Sequence, residues 1–275
     1  MRIRFPSLIA WILLSASAVQ AQGDLSEYFL LIRAEGPQPS DSETEKTVAL
    51  VSPYIEGTKN LAQEWPTINA ALTDPTQLVR EKACAILAAL AFVNYNSRQP
   101  LVLPAPTREL VIQRFTEPLA NLRENAVRAI ALIAGGAPPS VQPQLLQMAR
   151  TDPENKVRKI AIAALAIVDP TPEITNFWIE ILNDSSNTVM RGMVLSSFRS
   201  RGPTDRTVVA LVIDALRDSD RFIRQEAIAA VIQIGKPAQA AIPLLMEIRD
   251  GQGNDETLQR NAASAIRILS DSSGK

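Results

Sequence analysis

Three apolar columns, four residues apart, recur along this chain and leave it few ways to fold. The central column holds Ala83, Ala126, Ala161, Val194, Ala227 and Ala262, at intervals of 43, 35, 33, 33 and 35 residues. Four residues earlier stand Val79, Leu122, Val157, Met190, Ile223 and Leu258; four later stand Leu87, Ile130, Leu165, Phe198, Val231 and Ile266. Steps of four place all three columns on one helix face, an apolar stripe that must be buried. A period of this length marks a repeat array, in which each unit hides its stripe against its neighbours.

Each such helix is preceded by an acidic residue: Asp74, Glu117, Asp152, Asp184, Asp218 and Asp250. Two places before these stand Leu72, Phe115, Arg150, Leu182, Leu216 and Ile248, the ends of a preceding helix. Pro or Ser after several of the acids suits a turn that caps the next helix. The unit is therefore helix, tight turn, helix, about 34 residues long. Apolar residues make up 46% of the chain but aromatics only 5%, a balance that favours close-packed helices over a sheet sandwich. The expectation is an all-α, right-handed α-solenoid of about six helix pairs over residues 59–270, without a β-sheet. Residues 22–58 hold a candidate degenerate capping pair, Asp24 to Ala34 and Ser42 to Gly57, and 271–275 form a tail.

The acidic turn followed by Val-Arg-x-x-Ala-x-x-x-Leu, as in "DPENKVRKIAIAALA" from Asp152, resembles the HEAT repeat in its short, phycobilin-lyase-like form. "GKPAQAAIPLLMEIRD" from Gly235, with Pro243 inside its helix, is similar to the first helix of that repeat, and "GGAPPSVQPQLLQMARTD" from Gly135 is a looser copy. The resemblance implies a scaffold that binds partners; fold alone does not imply function.

The first 21 residues combine Arg2 and Arg4, a short apolar run from Ser7 to Leu14, and small residues ending in Ala21. This is the pattern of a secretory signal peptide, expected to be cleaved after Ala21 and to export the chain to the periplasm or medium without stable membrane insertion. The alternative is an uncleaved N-terminal anchor. Cleavage would take the formal net charge from −1 to −3, with 26 basic against 29 acidic residues. Such a balance argues against nucleic acid as a partner. Cys84 is the only cysteine, so no intramolecular disulfide can form.

The chain contains no histidine, which excludes Ser-His-Asp and Cys-His catalysis and the histidine-ligated zinc and iron sites. Within the resembled family this also excludes an iron hydroxylase built on His-Glu pairs. Cys84 stands in a column otherwise filled by Val127, Ile162, Leu195, Ile228 and Ala263, the place of a core residue rather than a nucleophile. No catalytic residue, metal site or cofactor is expected. The arginine column Arg80, Arg123, Arg158, Arg191 and Arg224 could bind anionic ligands, but the spacing from each acidic turn favours pairing within or between units.

Two places remain as candidate partner-binding sites. The surplus in the 43-residue interval falls in "NYNSRQPLVLPAPT", where Leu101, Val102 and Leu103 lie between Pro100 and Pro104, either folded back or exposed. On the second helices, the outward columns two and three past the first apolar column are polar in the outer units but read Ile160, Gly192 and Met193 in the middle ones, with Gly192 leaving room beside them. An apolar centre in a polar rim is the anatomy of a protein-binding patch, unless curvature buries it. The functional expectation is a non-catalytic extracytoplasmic scaffold or adaptor that binds a protein or peptide on its concave surface. The alternative is a chromophore- or small-molecule-handling protein of the phycobilin-lyase-like class.

Overall fold

A computed structural model describes residues 25–35, 50–96, 100–134, 136–199, 202–251 and 256–271. The expected signal peptide, Asp24 and residues 42–49, and the tail from Ser272 lie outside this range. Every regular element among the described residues is helical. The chain is an all-α solenoid, and it divides into two compact units. The first comprises residues up to Gln142 together with Pro153–Ile160, the second Pro143–Asp152 together with the residues from Ala161 onward.

In the first unit, α1 (Leu25–Glu35) buries Leu25, Tyr28, Phe29 and Ile32. A helical stretch at 50–55 follows. Then come α2 (Trp65–Leu72), α3 (Gln77–Asn96), α4 (Ala105–Ile112) and α5 (Ala120–Ala131). The second helices α3 and α5 lie against each other, as do the first helices α2 and α4, while α1 packs on α2 and α3. The result is two helical layers, with the three apolar columns between them: Val79, Ala83, Leu87, Leu122, Ala126 and Ile130 have no measurable exposure.

The surplus residues of the first interval mostly extend a helix instead of forming a loop. Helix α3 is 20 residues long against 12 for α5, so it runs about two turns further before the chain turns back. Beyond it, the Ala134 amide donates to the Leu101 carbonyl at 2.9 Å. Thr107, fully buried, donates to Asn69 Oδ1 at 2.8 Å. These bonds pin the segment to the body of the unit.

Helix α6 (Gln142–Thr151) follows, and then α7 (Asn155–Ala166), whose first turns belong to the first unit and the remainder to the second. The second unit contains α8 (Pro172–Asn183), α9 (Thr188–Ser197), α10 (Arg206–Asp214), α11 (Arg221–Ile234), α12 (Ile242–Asp250) and α13 (Glu256–Ser270). Again the second helices α9, α11 and α13 pack side by side, and α8 packs on α10. Pro143 and Pro243 do not sit in helix interiors. Each occupies the second position of an α-helix entered through a 3-10 turn, where the missing N–H has no partner to lose.

The acidic turn residues act one step earlier than simple caps. Asp74, Asp184 and Asp218 accept, through Oδ1, the amides of Thr76, Ser186 and Asp220 at 2.8, 3.1 and 2.8 Å. These Asx turns bring a separate capping residue into place: Asn187 accepts from the Met190 amide at 3.1 Å and Asp220 from the Phe222 amide at 2.7 Å.

Candidate functional site

The arginine column is consumed by the fold. In four of its members one guanidinium nitrogen reaches back to the turn that starts its own helix. Arg80 donates to the carbonyls of Asp74 and Pro75 at 2.7 and 3.0 Å, and Arg123 to those of Glu117 and Pro118, both at 2.8 Å. Arg224 does the same with Asp218 and Ser219 at 2.8 and 3.0 Å, and Arg158 reaches Pro153 at 3.2 Å. These carbonyls precede the helix and lack intrahelical partners.

Other nitrogens of the column join adjacent units. Arg80 grips Glu117 with two bonds of 2.9 Å, and Arg191 pairs with Asp218. The ladder also continues one step upstream of the column, where Arg33 of α1 pairs with Asp74. Asp74 and Asp218 thus each accept a turn amide, an arginine from the preceding helix pair, and through the carbonyl their own unit's arginine. The Arg80 guanidinium holds the Glu117 carboxyl below the usual carboxylate range, against the opposing effect of burial. At Asp74 burial pushes the other way too, but the Arg33 and Thr76 hydrogen bonds outweigh it and its carboxyl is also lowered.

Cys84 is fully buried, and desolvation pushes its thiol far above the ordinary range. It is a core side chain with no nucleophilic character.

Of the Pro-bounded triplet, Leu101 and Leu103 are only 7% and 5% exposed, while Val102 is 71% exposed. The segment is folded back, so it offers one exposed methyl-bearing side chain rather than an apolar surface.

The outward columns also need correction. Glu81 and Lys82, expected on a solvated face, are buried beside each other with 3.2 Å between Lys82 Nζ and Glu81 Oε2; α1 and α5 both pack on their helix. Glu226 is buried and accepts from Arg199 at 3.4 Å. Ile160 is half-buried in the first unit, and Met193 half-buried in the second. Gly192 is buried, and it does not leave open room. A Cβ at Gly192 would meet Phe222 Cε1 at 2.5 Å, so the Phe222 ring of α11 already lies over that glycine of α9.

This contact reveals the surface that the spacing argument missed. Phe222 is 50% exposed and Val189, one turn before Gly192 on α9, is 59% exposed. Val189 and Phe222 thus expose apolar surface on the neighbouring helices α9 and α11, and the half-buried Met193 follows Gly192 on α9. The signal was present in the column just before the first apolar one, where Val189 and Phe222 follow Asn121 and Lys156.

A concavity lies elsewhere in the same unit. Trp178 of α8 stacks on Phe198 at 4.6 Å between centroids and 12° between planes. The pair lines a small cleft, open to solvent, together with Val168, Pro170, Pro203 and Val208.

Among the described residues, no helix is long and apolar enough to cross a membrane. No curated protein matches the chain. Among solved structures, an engineered protein is 17% identical with a TM-score of 0.50, over 90% of this chain and 68% of that one. A designed armadillo repeat protein is 19% identical with a TM-score of 0.48, over 74% and 99% respectively. Another designed armadillo repeat protein, solved in complex with the peptide (KR)4, is 18% identical with a TM-score of 0.47, over 75% and 99%. The likeness to the engineered protein is one of fold alone. The model of the family described as HEAT repeats matches residues 107–199 and 175–267. These matches span more than half of the sequence, in keeping with the stacked helix pairs and their arginine ladder, and the chain belongs to the HEAT repeat family.

Proposed function

We propose that the chain is a non-catalytic scaffold, working outside the cytoplasm, that docks a protein or peptide on the second-helix face of its second unit. The observation that carries this reading is the half-exposed Phe222 ring over Gly192, flanked by Val189 and Met193. A single exposed ring would carry no such meaning; what supports docking is two large apolar side chains, Val189 and Phe222, exposed on adjacent helices. The arginines that could have served ligand binding are spent on turns and acidic partners, and the sole thiol is inert. Export rests on the signal-peptide pattern of residues 1–21. N-terminal sequencing of extracytoplasmic protein should find Gln22 first; an intact Met1 would overturn it.

The docking surface is tested by crosslinking capture from the extracytoplasmic fraction, with the parent beside a Val189→Ser, Phe222→Ser double variant. Both positions are solvent-facing, so the variant should melt close to the parent yet lose its partner. Unchanged capture by a folded variant refutes the assignment. The Trp178–Phe198 cleft favours a second reading, small-molecule handling of the phycobilin-lyase-like kind. Under that reading Trp178→Ala should abolish a small molecule's copurification, whereas the docking reading expects partner capture to survive this change.

A further inference from the structure

We propose that the Trp178–Phe198 cleft is a subsite for a proline of an extended peptide, with the pyrrolidine ring in the cleft and a neighbouring backbone carbonyl accepting from the Trp178 indole N–H. The site is separate from the exposed Val189 and Phe222 of α9 and α11, and neither assignment depends on the other.

Size and charge set the first limits. The space inside the mouth of the cleft is about 30 Å³, and one water needs about 10–15 Å³ of such space. The cleft therefore seats a few heavy atoms, one small ring or branched side chain, and the rest of any larger ligand lies outside it. Leu165, Ala166, Val168 and Val208 wall it with apolar surface, and all four are buried. Asp205 is the only charged residue in the lining. Its Oδ1 accepts the Thr207 and Val208 amides at 2.8 and 3.1 Å, so the N-terminal end of α10 offsets its charge. An ionic group brought into the cleft would leave water without gaining a free counter-charge. The occupant is neutral.

Trp178 adds a directional demand. It is only 5% exposed and stacked on Phe198, yet among the described residues no acceptor takes its indole N–H. Buried indoles normally find such a partner, and this group can only donate. The occupant must bring an acceptor beside a small apolar group, which a peptide does with its backbone carbonyl. Proline meets the remaining conditions better than other small residues. Its tertiary amide has a carbonyl but no N–H to strand against the apolar walls, and its ring supplies three adjacent methylenes to fill the space. Its fixed φ also holds the chain extended before docking, so less freedom is lost. Aromatic-lined grooves take proline-bearing segments for the same reasons.

The test uses the mature protein and two fluorescein-labelled peptides, Gly-Ser-Ala-Pro-Pro-Ala-Ser-Gly and its twin with alanines in place of the prolines. Fluorescence anisotropy should show the proline peptide bound at least about fivefold more tightly, with the gap unchanged at about 0.5 M salt because no charge is involved. Trp178→Phe, checked for retained melting temperature, keeps a ring beside Phe198 but removes the N–H, and should weaken the proline peptide by about fivefold. Location is read without disturbing the cleft: in a Trp65→Phe variant Trp178 is the sole tryptophan of the mature chain, and its emission should change on titration with unlabelled proline peptide. Free N-acetylpyrrolidine, the ring and carbonyl without a chain, should compete only at far higher concentration. Equal binding of the two peptides, no binding of either, unaltered Trp178 emission, or full affinity in Trp178→Phe overturns the inference, and competition by N-acetylpyrrolidine at peptide concentrations overturns the peptide as occupant. Failure of the α9–α11 docking face is read separately, from partner capture by the Val189→Ser, Phe222→Ser variant.

Discussion

Adding one methyl group at Gly192 and at Gly202 should have unequal consequences, set by what each Cβ would touch. At Gly192 the new atom would stand 2.5 Å from Phe222 Cε1 and 3.3 Å from Cδ1. Carbon atoms pack at about 3.5–4.0 Å, so the ring edge must retreat by about 1 Å. It has somewhere to go, because half of the side chain already faces solvent. If the ring gives up about 30 Å² of contact, the loss is about 0.8 kcal/mol at about 25 cal/mol per Å². Alanine in place of glycine inside α9 returns about 0.5–1 kcal/mol of helix propensity. The two terms cancel to within about 1 kcal/mol.

At Gly202 the added atom would lie 2.9 Å from Ile234 N, 2.9 Å from Ile234 Cγ1 and 3.0 Å from Ile234 Cα. Backbone at the end of α11 cannot swing aside, and overpacking of this kind costs about 1–3 kcal/mol. Thermal unfolding followed by circular dichroism should therefore place Gly192→Ala within about 4 °C of the parent and Gly202→Ala clearly below it. Partner binding should separate the variants the other way, with Gly192→Ala impaired through the displaced ring. A large destabilisation by Gly192→Ala would mean that the Phe222 ring is locked as core, and the docking surface would lose its basis.

Arg80→Ala and Glu117→Gln should each destabilise the first unit, and their double-mutant cycle should give a coupling of about 1–3 kcal/mol, since both side chains are largely buried and doubly bonded; a coupling under about 0.3 kcal/mol would make the pair ornamental. The folded-state carboxyls of Glu117 and Asp74 are lowered, so their stabilising contribution is complete above their unfolded values, about 4.3 and 3.9, and is lost as pH falls through the folded ones. Urea midpoints should hold steady above about pH 5 and decline below it, less steeply in Glu117→Gln; identical acid profiles for parent and variant would refute the assignment. Cys84 should resist maleimide labelling in the native protein and react once unfolded, whereas rapid native labelling would contradict its burial.

The repeat was legible from spacing alone because a stripe every fourth residue and an acid before each helix are local demands, and every unit must meet them in the same way. All six central residues, from Ala83 to Ala262, are fully buried where the columns place them. What spacing could not decide is how each unit departs from the average. Nine surplus residues between Ala83 and Ala126 could lengthen a loop or a helix, and packing of α3 against α1 and α5 settled most of them into the helix. Columns assigned outward turned inward at Glu81, Lys82 and Glu226, because the facing direction of a helical residue depends on which neighbours lie beside it. The patch itself depends on a contact between chain positions 30 residues apart, the Phe222 ring over the bare backbone of Gly192. One-dimensional spacing marks an apolar residue, but only the packed neighbour determines whether it is covered, and here a missing Cβ on α9 lets the ring edge approach its backbone while the side chain remains half in solvent.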